Sequence, residues 1–183
     1  MKFSKSILFS SFCLALLPIL LHGNTMQSLP SIVSSGWDKS QLIGQTTFRK
    51  YGFHIYDASY WLLERKPADR PAANSNALMI EYARDIKAKK LVASTAKQWN
   101  KIGISKDYPT EQWLNELTAI WPDVSNGDLL IALVTQGGPT QFYSGDRLLG
   151  EINDTEFGPA FLAIWLSNES RYQKNRKELL NES

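Results

Sequence analysis

The fold of this chain is decided by one stretch, Gly52-Phe53-His54-Ile55-Tyr56-Asp57-Ala58-Ser59-Tyr60-Trp61-Leu62-Leu63. Its apolar and aromatic residues and its length are typical of a β-strand that crosses a sheet. Alternation of side chains predicts two faces, with His54, Tyr56, Ala58 and Tyr60 on one and Phe53, Ile55, Asp57, Ser59 and Trp61 on the other. Because both faces carry aromatic rings, we expect the strand to be covered on both sides.

Further strands lie on both sides of this stretch. Residues 42–49 alternate loosely and run into Tyr51-Gly52, which predicts a hairpin that turns near 50–52. Prolines and alanines in 67–76 indicate a loop. Apolar runs bounded by turn residues predict the other strands at 77–83, 128–135, 140–143 and 147–152. Strands spaced so closely along a chain form antiparallel sheet.

Helical spacing appears between and after the strands. Apolar residues recur every three to four positions over 87–102 and again over 110–121. Two more helices are predicted, one capped by Asn153 or Asp154 and a charged one over 170–180. Strands in two groups, with helices between and after them, predict an α+β domain with helices on one side of an antiparallel sheet.

The first residues have the pattern of an export signal. Residues 1–5 carry two lysines, and the apolar run at 6–21 is shorter than the roughly 20 residues that a spanning helix needs. We expect a cleavable signal peptide at 1–23, a polar lead-in at 24–40 and a folded domain at 41–183. The lead-in is predicted to be a tail or a short strand. The protein is then periplasmic or secreted, and membrane contact is expected only through an uncleaved signal.

Composition excludes several classes of function. The chain has 20 basic and 18 acidic residues, and removal of the two signal lysines leaves it neutral, which gives no electrostatic case for a nucleic-acid partner. The sole cysteine, Cys13, lies in the signal, and His54 is the only histidine after it. A zinc site built from these residue types is therefore not available, and we expect no metal and no cofactor. No serine-nucleophile elbow and no phosphate-binding glycine loop occur.

Three polar residues inside the opening stretch need partners or a purpose. His54 is interpreted as a residue near a strand end with a satisfied ring, and a general base is the alternative. Tyr56 is either a buried ring with a local hydrogen bond or a ligand contact. Asp57 is expected to pair with Arg49 or Arg84 on a neighbouring strand.

The opening stretch resembles a strand of the fatty-acid-binding relatives of chalcone isomerase, where an apolar residue and a tyrosine-alanine pair precede a further tyrosine. A second block is similar to the strand and following helix of that superfamily, particularly its secreted bacterial branch: Leu149-Gly150-Glu151-Ile152-Asn153-Asp154-Thr155-Glu156-Phe157-Gly158-Pro159-Ala160-Phe161-Leu162-Ala163-Ile164-Trp165-Leu166. Residues 82–87 fit the middle of the pattern, so the resemblance spans about 42–180. It implies the chalcone isomerase fold, a curved antiparallel sheet with helices packed on one face and a ligand cleft between them.

The chain departs from the enzymes of that superfamily at the residues that carry their activity. In the best register Tyr56 stands where the enzymes have a threonine, as it does in the fatty-acid binders. The hydroxyl expected near the start of the late helix falls at Gly158, with Thr155 nearby. The expected arginine falls at Gly44, and Arg49 replaces it only if the hairpin is shorter. The tyrosine and asparagine of the helix after the central strand have no counterparts. The resemblance therefore implies a protein without catalytic residues.

The first functional hypothesis is a binding module for a small apolar or amphipathic molecule such as a fatty acid. Tyr56 and Arg49 would meet the polar end of the ligand, and Phe161 and Trp165 would line its body. One alternative is an envelope scaffold whose tryptophans meet a protein partner. The other is an isomerase acting on a chalcone-like enone, with Tyr56 or His54 moving a proton.

Overall fold

The computed structural model describes residues 28–65 and 73–182, so the predicted signal peptide lies outside the described residues. One six-stranded antiparallel sheet holds the strands in chain order. The strands are β1 (Lys39–Lys50), β2 (Phe53–Arg65), β3 (Ala73–Tyr82), β4 (Leu129–Thr135), β5 (Thr140–Ser144) and β6 (Arg147–Ile152). The helices are α1 (Ser31–Ser34), α2 (Ala88–Lys101), α3 (Ile104–Asp107), α4 (Thr110–Ile120), α5 (Phe157–Leu166) and α6 (Gln173–Leu180). The predicted α+β architecture is confirmed.

The sheet is covered on both faces, as the opening stretch predicted. Residues of α2, α4, α5 and α6 pack with one face of the sheet in a single apolar core. On the other face Trp61 and Leu63 pack with Leu29 and Val33, which come from the start of the described chain. Residues 31–34 form a helical turn where the sequence predicted a tail or a short strand. The turn brings Val33 onto the sheet face, where it is 1% exposed.

The β1–β2 hairpin turns at Tyr51 and Gly52, within the predicted range. Both residues have positive φ, 52° for Tyr51 and 82° for Gly52. Positive φ at both central positions matches the twist of the two strands that a two-residue turn joins. Glycine adopts this conformation freely, and the tyrosine adopts it at some cost.

A bulge in β2 overturns part of the predicted alternation. Phe48 pairs with Tyr56 and Arg49 pairs with His54, so Ile55 is an extra residue in the ladder. An extra residue shifts the side-chain phase of everything beyond it. Ile55 accordingly lies with Tyr56 on the helix-covered side. The prediction that His54 shares the face of Tyr56 is wrong, since its ring instead approaches Asp57.

The sequence predicted a loop that runs to residue 76, but strand β3 already begins at Ala73. The predicted end of the loop is therefore wrong. Ser75 pairs with Leu63 of β2 on one side and Thr135 of β4 on the other. Pairing with two neighbours satisfies the backbone groups of a polar segment that local composition marks as a loop. The other strand and helix predictions hold within a few residues, except that α3 was not predicted.

Gly44 lets α6 approach the sheet closely. A Cβ atom at this position would lie 2.1 Å from the carbonyl oxygen of Glu178 and 2.5 Å from that of Leu179. Backbone atoms cannot move aside as a flexible side chain can, so any larger residue displaces the helix. Gly44 is the position where the family resemblance, in strict register, places the arginine of the enzymes. The backbone of α6 leaves no room for a side chain there. The close approach also places Asn175 of α6 beside β1.

Candidate functional site

A cavity of about 330 Å³ lies between the sheet and the helices. Its lining from the sheet is Phe48, Lys50, Ile55, Tyr56, Ile80, Tyr82 and Leu130. Its lining from the helices and the segments joined to them is Ile86, Lys90, Leu91, Ser94, Thr95, Gln98, Trp121, Phe161, Ile164, Trp165, Ser170, Tyr172 and Asn175. The lining is mostly apolar with a few polar groups, which is the usual make-up of a small-molecule site.

The structure brings three of the four sequence-predicted site residues to this cavity. Tyr56, Phe161 and Trp165 line it, although they come from β2 and from α5, about 100 residues further along the chain. Arg49 is exposed and is not among the lining residues. The cations that border the cavity are Lys50, next to Arg49 in β1, and Lys90 of α2.

Tyr56 is held in place by rings and by one hydrogen bond. The indole Nε1 of Trp165 donates to its hydroxyl oxygen at 3.0 Å. Its ring stacks on Phe48 with centroids 4.9 Å apart and meets Tyr82 edge-on at 6.2 Å. Because the Trp165 hydrogen bond uses the phenol as an acceptor, the proton of the phenol is left to be donated elsewhere. The local hydrogen bond and the place on the cavity wall occur together, where the sequence analysis treated them as alternatives.

Burial keeps the two central phenols neutral. Desolvation raises the pKa of Tyr56, the hydrogen bond from Trp165 opposes that rise, and Tyr172 adds to it. Desolvation also raises the pKa of Tyr82, and the neighbouring Tyr56 raises it further. A phenol with a raised pKa donates a hydrogen bond at neutral pH and does not act as a phenolate base.

Two polar side chains that the C-terminal part of the chain contributes to the lining already have hydrogen-bond partners. Ser170 donates its hydroxyl to the carbonyl oxygen of Ile164 at 2.9 Å. The side-chain amide of Asn175 donates to the Thr46 hydroxyl at 2.6 Å and to the Thr47 carbonyl oxygen at 3.1 Å. The Asn175 bonds tie α6 to β1, and the Ser170 bond ties the segment before α6 to α5. They hold this wall of the cavity in place.

His54 lies outside the cavity lining, at the end of β2. Its Nε2 atom is 3.0 Å from Oδ2 of Asp57, within ion-pair distance but without hydrogen-bond geometry. Asp57 also accepts a hydrogen bond from the Thr47 hydroxyl. The predicted pairing of Asp57 with Arg49 or Arg84 is wrong, because its side-chain contacts are with His54 and Thr47. The Arg84 guanidinium instead covers the ring of Phe53 at 5.1 Å.

Two other kinds of feature, a metal-binding cluster and a membrane-spanning helix, are absent from residues 28–65 and 73–182. No group of three or more histidine, cysteine, aspartate and glutamate side chains there is arranged to hold a metal ion. Within the same ranges no helix combines the length and the apolar character that crossing a membrane requires.

Several lining residues were not predicted from the sequence, for identifiable reasons. In the sequence, Lys50 lies in a predicted hairpin and Lys90 on a predicted helix, where lysines are usually solvated. Tyr82 belongs to a predicted strand, and it pairs with Tyr56 of the adjacent strand β2. That pairing depends on the register between β2 and β3, and no local signal in the sequence marks it.

Comparison with known proteins agrees with this geometry. Residues 26–181 match the family model described as chalcone isomerase-like. An uncharacterized protein of Haemophilus influenzae is 29% identical over 147 residues, which cover 78% of this chain and 69% of that protein. The crystal structure of a fatty-acid-binding protein of Arabidopsis thaliana is similar with a TM-score of 0.61 at 10% identity, over 79% of this chain and 88% of that one. At that identity the plant protein shows the fold alone. The resemblance inferred from the sequence is confirmed, and the chain belongs to the chalcone isomerase-like family.

Proposed function

We propose that this protein binds a small apolar or amphipathic molecule, such as a fatty acid, in the cavity between the sheet and the helices. The observation that carries the proposal is the cavity itself, about 330 Å³ and lined mostly by apolar side chains around one fixed phenol. That volume falls within the range of about 300–1,000 Å³ typical of ligand pockets. The plant structural neighbour is a fatty-acid-binding protein, which supports the choice of ligand.

The polar end of the ligand is assigned to Tyr56 and the two lysines. Tyr56 accepts from Trp165 and keeps its own proton, so it is set to donate to a carboxylate. Lys50 and Lys90 border the same cavity and supply positive charge. We therefore move the role predicted for Arg49 to Lys50. Phe161 and Trp165 keep their proposed role along the body of the ligand.

The proposal is for binding without catalysis. None of the lining residues is a histidine, an aspartate or a glutamate, and the raised pKa of Tyr56 and of Tyr82 keeps both phenols protonated. Ring closure of a chalcone removes a proton from the attacking phenol hydroxyl and adds one to the carbon beside the carbonyl, so a general base must take the first proton. Mixing the protein with a chalcone should therefore leave the chromophore unbleached, and a rate above background would favour the isomerase alternative.

We place this function in the periplasm or outside the cell. The support is the charged start and apolar run of residues 1–23. Cell fractionation and N-terminal sequencing of the purified protein test the location and the cleavage point together. An envelope protein partner stays a prediction, to be tested by a pull-down from the envelope fraction.

The binding experiment is a titration with a fluorescent fatty acid. Tyr56→Phe removes a hydrogen bond to a charged group, worth about 1.5–3 kcal/mol, and should weaken binding at least about tenfold. Lys50→Ala should weaken it by a few fold, because an exposed charge contributes up to about 1 kcal/mol. Circular dichroism confirms that each variant is folded.

Arg49→Ala is the matched control, since it removes a positive charge from the residue beside Lys50 that does not line the cavity. It should leave affinity unchanged. Equal losses in the Arg49 and Lys50 variants would mean that charge acts at long range. No binding by the wild-type protein, or full binding by Tyr56→Phe, would contradict the proposed site.

A further inference from the structure

The tip of the β1–β2 hairpin presents two aromatic rings to solvent. Tyr51 is 90% exposed and Phe53 is 61% exposed, and they are two of the four large exposed apolar side chains of the described residues. Each ring is accompanied by a cation, Lys50 at 5.7 Å from the Tyr51 centroid and Arg84 at 5.1 Å from that of Phe53. Exposed aromatic rings beside lysine and arginine are typical of surfaces that enter the headgroup region of a bilayer.

This hairpin tip stands at the edge of the cavity. Lys50, which precedes Tyr51 in the chain, is itself a lining residue. Gln98 of α2 also lines the cavity, and Lys97 precedes it in the exposed part of the helix. Arg171 is exposed between Ser170 and Tyr172, two further lining residues. Cations from three separate elements therefore border the same region as the two exposed rings.

These three cations are close enough to act on a fourth, Lys101. Desolvation lowers the pKa of Lys101, at the end of α2, and Arg171, Lys97 and Lys50 lower it further by repulsion. Among the residues that the structure describes, none of the four forms an ion pair. Unpaired cations gathered around Lys101 are stabilised by an anionic partner. We call Lys50, Lys97, Lys101 and Arg171 the basic rim.

We propose that the hairpin tip and the basic rim dock this protein on an anionic lipid bilayer, with Tyr51 and Phe53 in the headgroup layer and the cavity beside the membrane surface. The sequence alone predicted membrane contact only through an uncleaved signal. The docking surface is made by parts of the chain 50 to 120 residues apart, so it is visible only in the folded protein. Docking does not require that the cavity binds a ligand, so the two proposals fail separately.

The test measures binding to vesicles by sedimentation. The protein is exported by a bacterial host, and its mass is checked so that all variants share one N-terminus. Vesicles contain phosphatidylcholine alone or with about a third phosphatidylglycerol. Binding should require the anionic lipid and should be lost between about 0.1 M and 1 M salt, because the screening length falls from about 10 Å to 3 Å. Vesicle binding that depends on neither the lipid charge nor the salt concentration would overturn the proposal, because an apolar anchor binds in that way.

Charge variants locate the surface. Each lysine near an anionic surface changes the partition coefficient about fivefold, so Lys101→Glu should lower it about 25-fold. Lys39→Glu makes the same change at the far end of β1, roughly 36 Å from Lys50 along the strand, and should have little effect. Equal losses in the two variants would overturn the assignment of the surface.

Tyr51→Asn tests the aromatic part, because asparagine tolerates the positive φ of this turn residue. Removing the ring should lower the partition coefficient about tenfold. Neither Tyr51 nor Lys101 lines the cavity, so both variants should bind the fluorescent fatty acid in solution as the wild type does. Unchanged vesicle binding by Tyr51→Asn and by Lys101→Glu would overturn the proposal even if ligand binding is established.

Discussion

The helix-covered face of the sheet has two aromatic regions, and only one of them is completely filled. The filled region consists of Trp99, Trp113, Phe142 and Phe157, all 0% exposed. The cavity region consists of Phe48, Tyr56, Tyr82, Trp165 and Tyr172, all of which border the 330 Å³ cavity. Phe161 joins the two, because its ring lies 5.6 Å from Phe157 and 5.2 Å from Trp165.

Ring contacts alone do not distinguish the two regions. Trp99 and Trp113 lie 5.5 Å apart in the filled region, and Phe48 and Tyr172 lie 4.7 Å apart in the cavity region. Indole N–H groups are also satisfied in both, since Trp99 donates to the Ala160 carbonyl oxygen at 2.9 Å and Trp165 to Tyr56 at 3.0 Å. The difference is what the rings surround. In the filled region they surround one another, and in the cavity region they surround space for a ligand.

The largest expected effect compares one tryptophan from each region. Trp99→Ala should lower the free energy of unfolding by about 3–5 kcal/mol, because it leaves a void in a fully packed core. Trp165→Ala should cost clearly less, since this half-buried side chain already borders a cavity. Urea denaturation measures both values. Similar costs would mean that the two regions do not differ in packing.

The next prediction tests the close contact that holds one wall of the cavity region. Gly44→Ala should lower the free energy of unfolding by about 3 kcal/mol and weaken ligand binding, because the added methyl group meets the backbone of α6. Gly150→Ala is the control, since its methyl group would meet only the side chain of Ile120, at 3.0 Å. That side chain can shift, so the cost should stay below about 1 kcal/mol. Equal costs would show that α6 adjusts as easily as a side chain.

A pair of enlarging substitutions sharpens the comparison further. Leu117→Phe adds volume beside the filled region, where Leu117 is 0% exposed, and should destabilise the protein by about 1–3 kcal/mol. Ile164→Phe adds a similar volume at the cavity wall and should change stability by less than about 1 kcal/mol while it blocks the fluorescent fatty acid. Denaturation and ligand titration on both variants provide the check. A stable Ile164→Phe protein that still binds fully would place the ligand elsewhere.

The last prediction concerns the dependence of stability on pH, and its effect is confined to alkaline solution. The pKa values of Tyr56 and Tyr82 are raised above their ordinary 10.0 by burial, so the unfolded chain loses these protons at a lower pH than the folded protein does. Their contribution to stability is complete below about pH 10 and is lost as pH rises above it, by about 1.4 kcal/mol per pH unit for each phenol. Tyr56→Phe should therefore make the decline above pH 10 shallower. An unchanged slope would argue against burial of this hydroxyl.

Local patterns predicted most of the elements because each pattern follows from the period of one helix or one strand. The alternation in β2 and the three-to-four spacing in α2 and α4 identified those elements. The sequence blocks at 52–61, 82–87 and 149–166 identified the family. Tyr56, Phe161 and Trp165 were also placed at the cleft before any geometry was known. That placement came from a resemblance, since aromatic spacing is the same in a packed core and in a binding site.

The sequence by itself determined the elements, their antiparallel order and the apolar character of each face, because these depend on neighbours within a few residues. Only the tertiary structure decided that Ile55 forms a bulge and turns His54 away from the cavity. It also decided that Lys50 and Lys90, rather than Arg49, border the site. Such features depend on strand register and on how closely α6 and α2 approach the sheet. Those distances are set by contacts between residues far apart in the chain, which no local period encodes.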